Sequence, residues 1–248
     1  MDWFETTEDR TDSPPQESWA RVNRAAEKWS ARQILRWAFQ KYKTNVAVAS
    51  AFGAEGVVVI DIAAQVCRTF RLFCVDTQFL FPQTYELAAR LEQRYCLRIE
   101  WVYPTLSPDQ QEMIHGSQLW RRSADACCNL RKTRPLARKL GELSAWVTAI
   151  RREQTSARSK AAKVAWDEKF GLVKINPIAD WTTAMVWDYI RRHHLPYNSL
   201  HDSNYPSIGC THCTRPIEPG EELRAGRWSG LRKNECGMHD SNPLEGSN

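Results

Sequence analysis

The sequence predicts an α/β fold in which a parallel sheet is flanked by helices. Two observations support this class: short apolar runs alternate with segments of helical periodicity, and turns containing Gly or Pro separate them. Of the 248 residues, 42% are hydrophobic and 25% are charged, as in ordinary globular proteins. The length allows one or two domains, and the composition excludes collagen, coiled coil and wholesale disorder.

The first predicted element is helical. Between residues 18 and 42, apolar side chains recur at helical spacing, which predicts one long or broken amphipathic helix covering an edge of the sheet. Residues 1–17 are acidic and polar, which predicts a flexible arm rather than a secretory signal. Because the apolar runs fall well short of the roughly 18 residues of a membrane helix, we expect a cytoplasmic chain without membrane contact.

A βαβαβ pattern follows this helix. Strands are predicted at Val46–Ala49, 70–75 and 98–102, with helices at 57–66 and 82–94. Such alternation gives parallel strands joined by right-handed crossovers. The loops after the strands then meet at one edge of the sheet, where open α/β sheets bind their ligands.

Fewer regular elements are predicted in the second half of the chain. We expect a helix over 127–140, a buried strand over 145–150 and a helix over 182–194. After Pro196 the chain is rich in Gly, Pro, Ser and Asn, which predicts an irregular region packed on the sheet. We therefore expect one α/β domain over 18–230 and a mobile tail over 231–248.

The first βα turn contains two glycines. Its sequence, SAFGAEG at 50–56, offers backbone N–H groups and a helix N-terminus, which suits a phosphate. It matches neither GxGxxG nor GxxxxGK[ST], so it supports neither a dinucleotide fingerprint nor a Walker site. A plain strand-to-helix turn is the alternative. The net charge of +5 is also compatible with an anionic ligand, a nucleic acid or no such partner.

Eight cysteines in 248 residues are too few for a disulfide scaffold. A tandem pair and a C-x-x-C supply four of them, Cys127, Cys128, Cys210 and Cys213. Four thiolates suit an iron–sulfur cluster or a tetrahedral zinc ion, and the adjacency of the first two favours the cluster. His212 is expected beside this site without being a ligand.

Another cysteine, Cys236, lies in a partly basic segment near the end of the chain. Neighbouring cations lower the pKa of a thiol and increase its thiolate fraction, so Cys236 is a candidate nucleophile. An unpaired cysteine without function is the alternative. Cys67, Cys74 and Cys96 stand in apolar contexts and are expected in the core.

These motifs together resemble the assimilatory adenylyl-sulfate reductases, relatives of the 3′-phosphoadenylyl-sulfate reductases. The resemblance runs from about residue 45 to 239. It is carried by SAFGAEG, VDTQFLFPQTYEL from Val75, CCNLRKTRPL from Cys127, IRREQTSAR from Ile150, YPSIGCTHCTRP from Tyr205, ELRAGRW and NECGMH. It implies a fold like the adenine-nucleotide α-hydrolases, with an irregular C-terminal region and a mobile tail.

The resemblance also implies roles for individual residues. A modified phosphate loop would hold the nucleotide through Ser50, Phe52, Gly53, Ala54, Glu55 and Gly56, with Asp76 and Thr77 near the adenosine. Four cysteines, Cys127, Cys128, Cys210 and Cys213, would ligate a 4Fe-4S cluster, with Lys132 between cluster and substrate. The sulfate and phosphate would be gripped by Arg152, Arg224 and Arg227. Cys236 and His239 match the catalytic tail, and Gln78-Phe79 stands where the family often has Gly-Arg.

The implied activity is thiol-dependent reduction of adenosine 5′-phosphosulfate to sulfite and AMP in sulfate assimilation. Cys236 would carry a thiosulfonate until an external thiol releases sulfite. We expect a thioredoxin-like or glutathione-dependent donor, because no second cysteine lies near Cys236 in the sequence. No nucleic-acid partner is expected, and a homo-oligomer is left open.

Three other hypotheses stay open from the sequence. The substrate could be the 3′-phosphorylated nucleotide, although family members with that preference usually lack the paired cysteines. A zinc-stabilised nucleic-acid-binding protein would explain the basic clusters and the cysteines but leaves Cys236 without a role. An ATP-dependent tRNA-thiolating enzyme should carry SGGxDS at the phosphate loop, and residues 50–56 differ from it.

Overall fold

A computed structural model describes residues 16–231, 233 and 235–239 of the chain. The strands are β1 (Val46–Ala49), β2 (Arg71–Val75), β3 (Ile99–Val102), β4 (Ala145–Val147), β5 (Val164–Asp167) and β6 (Leu172–Ile175). The α-helices are α1 (Gln16–Ala26), α2 (Ala31–Tyr42), α3 (Ala54–Val66), α4 (Pro82–Tyr95), α5 (Pro108–His115), α6 (Leu119–Arg122), α7 (Ala124–Cys128), α8 (Arg134–Leu140) and α9 (Thr183–Arg192).

The six strands form one sheet in the order β3-β2-β1-β4-β6-β5. Neighbouring strands are parallel except β5, which pairs antiparallel with β6 at one edge. The predicted α/β class with a flanked parallel sheet is therefore confirmed, with one antiparallel edge strand added. Because the chain leaves β1 toward β2 and β3 and returns beside β1 as β4, the strand order reverses between β1 and β4. That reversal opens a crevice at the carboxyl ends of these strands.

The helix α3 fixes the loop that precedes it. It is apolar around most of its circumference because it packs between the sheet, α2 and α9. Its one buried carboxylate, Asp61, accepts hydrogen bonds from Tyr95 Oη and Tyr189 Oη, both at 2.7 Å. The Asp61 carboxylate therefore has hydrogen-bond partners despite its burial. These contacts help to hold the N-terminus of α3 at the crevice.

The predicted N-terminal helix is divided into α1 and α2. Ser30 is the N-cap of α2. Its side chain accepts a hydrogen bond from the Gln33 N–H, and the Gln33 side chain accepts one from the Ser30 N–H, which together form a capping box. Trp19 on α1 stacks on Trp166 of the edge strand β5, with ring centroids 6.4 Å apart. The prediction that this region covers a sheet edge is confirmed. The helix begins at Gln16, and residues 1–15 of the predicted arm lie outside the described residues.

The hairpin of β5 and β6 is absent from the sequence prediction. Each strand has four residues, too few for a clear alternation, and Gly171 forms the turn with φ +65°. The predicted helix over 127–140 is divided into α7, a π-helical turn at Asn129–Thr133 and α8. The expected core position is confirmed for Cys74 but wrong for Cys96, which is exposed at the C-cap of α4.

From Pro196 to Leu231 the described chain contains short 3₁₀ turns and isolated bridges instead of sheet strands, as predicted for an irregular region. One bridge joins Leu80 to Cys210, and this region therefore packs over the carboxyl ends of the strands. None of the described helices has the length and apolar character needed to span a bilayer.

We predict that Trp19→Ala lowers the free energy of unfolding by about 3 kcal/mol, because a buried indole is removed from the contact between α1 and β5. Urea denaturation measures the change. Arg24→Ala, an exposed position on the same helix, is the control and should change stability by less than about 0.5 kcal/mol. Equal effects of the two substitutions would contradict the packing of α1 on the sheet edge.

Candidate active site

A cavity of about 550 Å³ opens at the carboxyl ends of the central strands. Ligand sites typically measure ~300–1,000 Å³. Its walls are the loop after β1, the loop after β4, the irregular C-terminal region and the described part of the tail. Of the three loops predicted to share one edge of the sheet, those after β1 and β2 line this space together with the loop after β4, and the loop after β3 does not. The space is large enough for a nucleotide.

The loop after β1 turns its backbone toward this cavity. Ser50 Oγ accepts from the Phe52 N–H at 3.0 Å, and Phe52 adopts a left-handed φ of +58°. A side chain on Gly56 would clash with Ser50 Oγ, so glycine permits this close approach. With Gly53 as N-cap, the N-terminus of α3, whose helix dipole favours an anion, lies at the cavity wall.

One predicted loop residue and one predicted adenosine-side residue do not line the cavity. The ring of Phe52 is buried in the core against Trp101. Asp76 is buried and accepts hydrogen bonds from the Gln78 N–H at 2.7 Å and from Tyr85 Oη at 2.8 Å. Both residues therefore shape the loops, whereas Thr77 is a wall residue.

Glu55 reaches from the first turn of α3 to Arg151 in the loop after β4. Arg151 Nη2 and Nε donate to Glu55 Oε1 at 2.8 and 3.1 Å, and Arg151 Nη1 donates to Glu153 at 2.9 Å. Burial alone would raise the pKa of Glu55, but the charge and hydrogen bonds of Arg151 hold it below its ordinary value. Glu55 is therefore ionised, and this contact joins two walls of the cavity.

The predicted anion-binding residue Arg152 lies outside the cavity. Its Nε donates to the Ala161 carbonyl at 2.8 Å and its Nη2 to Glu27 at 2.6 Å. Arg151 has extended backbone, so consecutive side chains leave the chain on opposite sides and Arg151 takes the inward position. Arg158, from the same sequence motif, is also a wall residue that the sequence prediction missed.

Arg224 and Arg227, two of the predicted substrate-binding residues, line the cavity. Both guanidinium groups donate to Ser207 Oγ, at 3.3 and 3.1 Å. A Cβ on Gly209 would lie 2.6 Å from Arg227 Cζ, so the guanidinium rests against a backbone that only glycine leaves open. Trp228 packs under the same group, with Arg227 Cζ 4.5 Å from the ring centroid.

The four predicted ligand cysteines meet at one enclosed space beside the cavity. Cys127, Cys128, Cys210 and Cys213 all line it. Burial first, then the neighbouring thiols, raise the pKa of Cys127 to about 12 and that of Cys213 to about 11. Within residues 16–231, 233 and 235–239, no three or more metal-ligating side chains are grouped as a single ion requires.

Two buried cations of the π-helical turn accompany these cysteines. Lys132 borders both the cysteine space and the large cavity. Burial would lower the pKa of Lys132, but electrostatic interaction with the neighbouring Cys210, Cys128 and Cys236 raises it. Arg131 is missing from the predicted site, although it is 1% exposed and its buried Nη2 has no partner among the described residues.

Gln78 and Phe79, which stand where the sequence analysis expects Gly-Arg, lie beside this cysteine space. Gln78 Oε1 accepts from Arg131 Nη1 at 3.1 Å, and the ring of Phe79 lies 4.7 Å from Arg131 Cζ. His212 stacks on Trp120, with centroids 4.0 Å apart, and so lies beside the cysteines, as predicted. These two substituted positions therefore support the cysteine side and do not line the large cavity.

The described part of the tail is docked on the cavity. Cys236 is 8% exposed and packs in one apolar cluster with Cys128 and Trp228. Lys169 Nζ donates to the Gly237 carbonyl at 2.6 Å, and the His239 ring stacks on Trp146. Burial first, and then four surrounding cations, hold the pKa of His239 well below its ordinary value, so its imidazole is neutral. The sequence-predicted nucleophile and histidine thus line the cavity together.

The positive charge of the cavity is unevenly neutralised. Glu55 and Glu153 pair with Arg151, and Glu235 pairs with Arg158 and Arg224. In the part of the chain that the structure describes, no carboxylate forms an ion pair with Lys132 or Arg227. The uncompensated charge is therefore concentrated between the cysteine space and Cys236.

The sequence profile of the phosphoadenosine phosphosulfate reductase domain matches residues 45–216, which include the phosphate loop and all four clustered cysteines. The chain belongs to this family. Its sequence-predicted membership is confirmed.

Members of the phosphoadenosine phosphosulfate reductase family resemble the chain over most of its length. Adenosine 5′-phosphosulfate reductase of Halalkalibacterium halodurans is 43% identical over 219 residues, covering 88% of this chain and 95% of that protein. Adenosine 5′-phosphosulfate reductase 2 of Bacillus subtilis is 42% identical, covering 83% of this chain and 88% of that protein.

Solved structures agree with the fold. Phosphoadenylyl-sulfate reductase from Candida auris, in a phosphate complex, superposes with a TM-score of 0.73 at 31% identity, covering 82% of this chain and 99% of that chain. FMN adenylyltransferase of Candida glabrata has a TM-score of 0.58 at 12% identity, over 95% of this chain and 80% of that one. The second likeness shows the α/β fold alone.

We predict that Gly209→Ala weakens binding of inorganic phosphate about tenfold, because the new Cβ displaces the Arg227 guanidinium and removes a charge-assisted hydrogen bond. Titration calorimetry measures the affinity. Gly141→Ala is the control, since a Cβ there meets only ordinary contacts at the end of α8. Unchanged phosphate affinity in a folded Gly209→Ala protein would remove Arg227 from the anion site.

Proposed function

We propose that this chain reduces adenosine 5′-phosphosulfate to sulfite and AMP, with electrons from a thiol donor, in sulfate assimilation. One observation carries the proposal: Cys236 is docked at a nucleotide-sized cavity whose uncompensated cations lie beside it. The names of the relatives from Halalkalibacterium and Bacillus support the same activity. A nucleic-acid-binding protein would give a cysteine in this position no role.

In the first half-reaction, the Cys236 thiolate attacks the sulfonyl sulfur of the substrate. A sulfur–sulfur bond forms, the bond from sulfur to the phosphate oxygen breaks, and AMP leaves with that electron pair. Cys236 then carries a thiosulfonate. AMP would occupy the phosphate-loop side, with its phosphate at the N-terminus of α3.

Both reactants are anions, so the approach depends on nearby cations. An ion pair 4 Å apart contributes about 4 kcal/mol at an effective dielectric constant near 20. Lys132 and Arg227 are positioned to supply this stabilisation, because they line the cavity without carboxylate partners among the described residues. We assign them to the sulfonate and the leaving phosphate, with Arg224 beside them and Arg152 excluded by its position.

In the second half-reaction, a thiolate of the donor attacks the Cys236 sulfur. A mixed disulfide forms, sulfite leaves with the electron pair of the broken sulfur–sulfur bond, and a second donor thiol releases Cys236. The two thiols are oxidised and the transferred sulfur is reduced by two electrons. Because docked Cys236 is buried, we propose that residues 231–248 form a tail that moves away from the catalytic domain over 18–230. The donor is thioredoxin-like or glutathione-dependent.

We further propose that Cys127, Cys128, Cys210 and Cys213 hold a 4Fe-4S cluster. Three features fit this group: four soft donors at one enclosed space, the unpartnered Arg131 Nη2 and the adjacent charge of Lys132. When bound, the cluster would supply negative charge and structural order, since the thiols account for both electrons. Lys132 keeps its position between the cysteines and the cavity, where it faces the substrate.

We predict that Cys236→Ser abolishes sulfite formation from adenosine 5′-phosphosulfate while iron content and visible absorbance stay at the wild-type level. The hydroxyl is a far weaker nucleophile than the thiolate, and Cys236 is outside the ligand set. The wild-type protein, given substrate without a donor, should gain a sulfonate on Cys236, detected by mass spectrometry. Sulfite formation by the variant would refute the nucleophile, and inactivity of anaerobically purified wild type with either thiol donor would refute the function.

The choice between the two nucleotides is tested by the ratio of kcat/KM for the unphosphorylated and the 3′-phosphorylated substrate. We expect the unphosphorylated nucleotide to be preferred, as the four cysteines suggest.

The cluster proposal has its own test. We predict that Cys128→Ser loses both iron and turnover, because one of four thiolate ligands is removed. Cys96→Ser, at an exposed cysteine remote from the cavity, is the matched control and should keep both. Anaerobic absorption spectra and iron analysis measure the outcome. Full iron content in Cys128→Ser, or a colourless wild-type protein containing zinc, would contradict a 4Fe-4S site.

A further inference from the structure

Glu235, the residue before the proposed nucleophile, contacts three polar side chains of the domain. Its Oε2 lies 2.6 Å from Arg158 Nη2 and 3.5 Å from Arg224 Nη2. Thr155 Oγ1 donates to its Oε1 at 3.2 Å. One carboxylate thus contacts the loop after β4 and the irregular C-terminal region at the same time.

These contacts lie in a site of low solvent exposure. The side chains of Glu235 and Arg158 are 11% and 12% exposed. The other ion pair of the described tail, Lys233 with Asp125, includes a carboxylate that is 87% exposed. Exposed pairs contribute little because water and salt screen them, whereas loss of one partner of a buried pair leaves an uncompensated charge. Glu235 therefore dominates the polar attachment of the tail.

The docked tail leaves the cavity open. A volume of about 550 Å³ remains beneath it, and Glu235 itself is not one of the wall residues. Cys236, the next residue, is a wall residue and is buried. The carboxylate is thus anchored behind the wall while the adjacent thiol faces the space that a nucleotide would fill.

We propose that Glu235 is a positioning residue, whose ion pairs with Arg158 and Arg224 seat Cys236 at the cavity and set how often the tail is open. This inference rests on the proposed function for its kinetic consequence but not for its structural one. Arg158 and Arg224 hold the tail, so Lys132 and Arg227 carry the greater part of the charge offered to the substrate.

The two half-reactions require opposite states of these ion pairs. Transfer of the sulfonate needs Cys236 seated in the cavity, and attack by the donor needs Cys236 exposed. Weakening the Glu235 contacts should therefore slow the first half-reaction and leave the second unchanged or faster. A residue with a general structural role would slow both.

The test compares Glu235→Gln with Glu221→Gln and with Glu235→Asp. Glu221 pairs with Arg215 at 2.7 Å in the same irregular region, and neither residue lines the cavity. Glu221→Gln is therefore the control for losing a glutamate–arginine ion pair away from the cavity. The first readout is the alkylation rate of Cys236 by iodoacetamide in the resting protein, followed by peptide mass spectrometry. Exposed Cys96 in the same molecule is the internal reference.

We expect Glu235→Gln to raise the alkylation rate of Cys236 relative to Cys96 about tenfold, which corresponds to loss of a charge-assisted hydrogen bond. Glu221→Gln should match the wild type, and Glu235→Asp, which keeps the charge, should lie between. Rapid-quench kinetics should show slower sulfonate transfer in Glu235→Gln with an undiminished rate of sulfite release by the donor.

Each contrary outcome has a distinct meaning. Unchanged alkylation together with a lower KM for the nucleotide would mean that Glu235 only competes with substrate for the arginines, and the proposal fails. Equal slowing of both half-reactions, with a lowered melting temperature, would also overturn it. Raised alkylation in a protein that forms no sulfite would leave the seating of Cys236 standing and refute the proposed function instead.

Discussion

Positive charge gathered at the carboxyl ends of the parallel strands is the constraint on which this site depends. In the reaction proposed for this chain, a thiolate approaches an anionic sulfonate, and water alone would leave the two anions repelling each other. In this fold, cations from separate chain segments meet in one crevice, which forms where the strand order reverses between β1 and β4. The helix dipole of α3 adds to the same field.

Such a concentration of cations has to be partly neutralised for the domain to fold. Glu55 bridges the phosphate loop to Arg151, and its lowered pKa keeps that bridge ionised at neutral pH. Glu235 plays the same part for Arg158 from the tail. The positive charge that no described carboxylate neutralises lies at Lys132 and Arg227. The positions of the carboxylates therefore determine where the positive electrostatic field of the cavity is strongest, as well as how stable the site is.

The sequence predicted the parts of this site that are local in the chain. The predicted phosphate loop is seven residues long and directly follows an apolar strand. The paired cysteines have a spacing that few structural roles require. Which arginine enters the cavity was not predictable in this way, because Arg151 and Arg152 are adjacent and only the extended backbone at Arg151 decides the direction. The role of Glu235 depends on a contact with Arg158, which is 77 residues distant, and motif spacing does not encode such a contact.

In the proposed mechanism, the division between a rigid scaffold and a movable nucleophile follows from the chemistry of two successive partners, the nucleotide and the thiol donor. A nucleophile on a strand end would be held accurately toward the nucleotide, yet it would stay buried when a protein thiol had to reach it. Cys236 instead follows the irregular C-terminal region, on a segment that we propose can leave the cavity, and Gly237, with φ +83°, gives the adjacent backbone a conformation that other residues rarely adopt. The proposed movement requires a reversible attachment, and the ion pairs of Glu235 suit it because their strength is limited by the desolvation of both charges, while the apolar contacts of Cys236 with Cys128 and Trp228 add to the docked state.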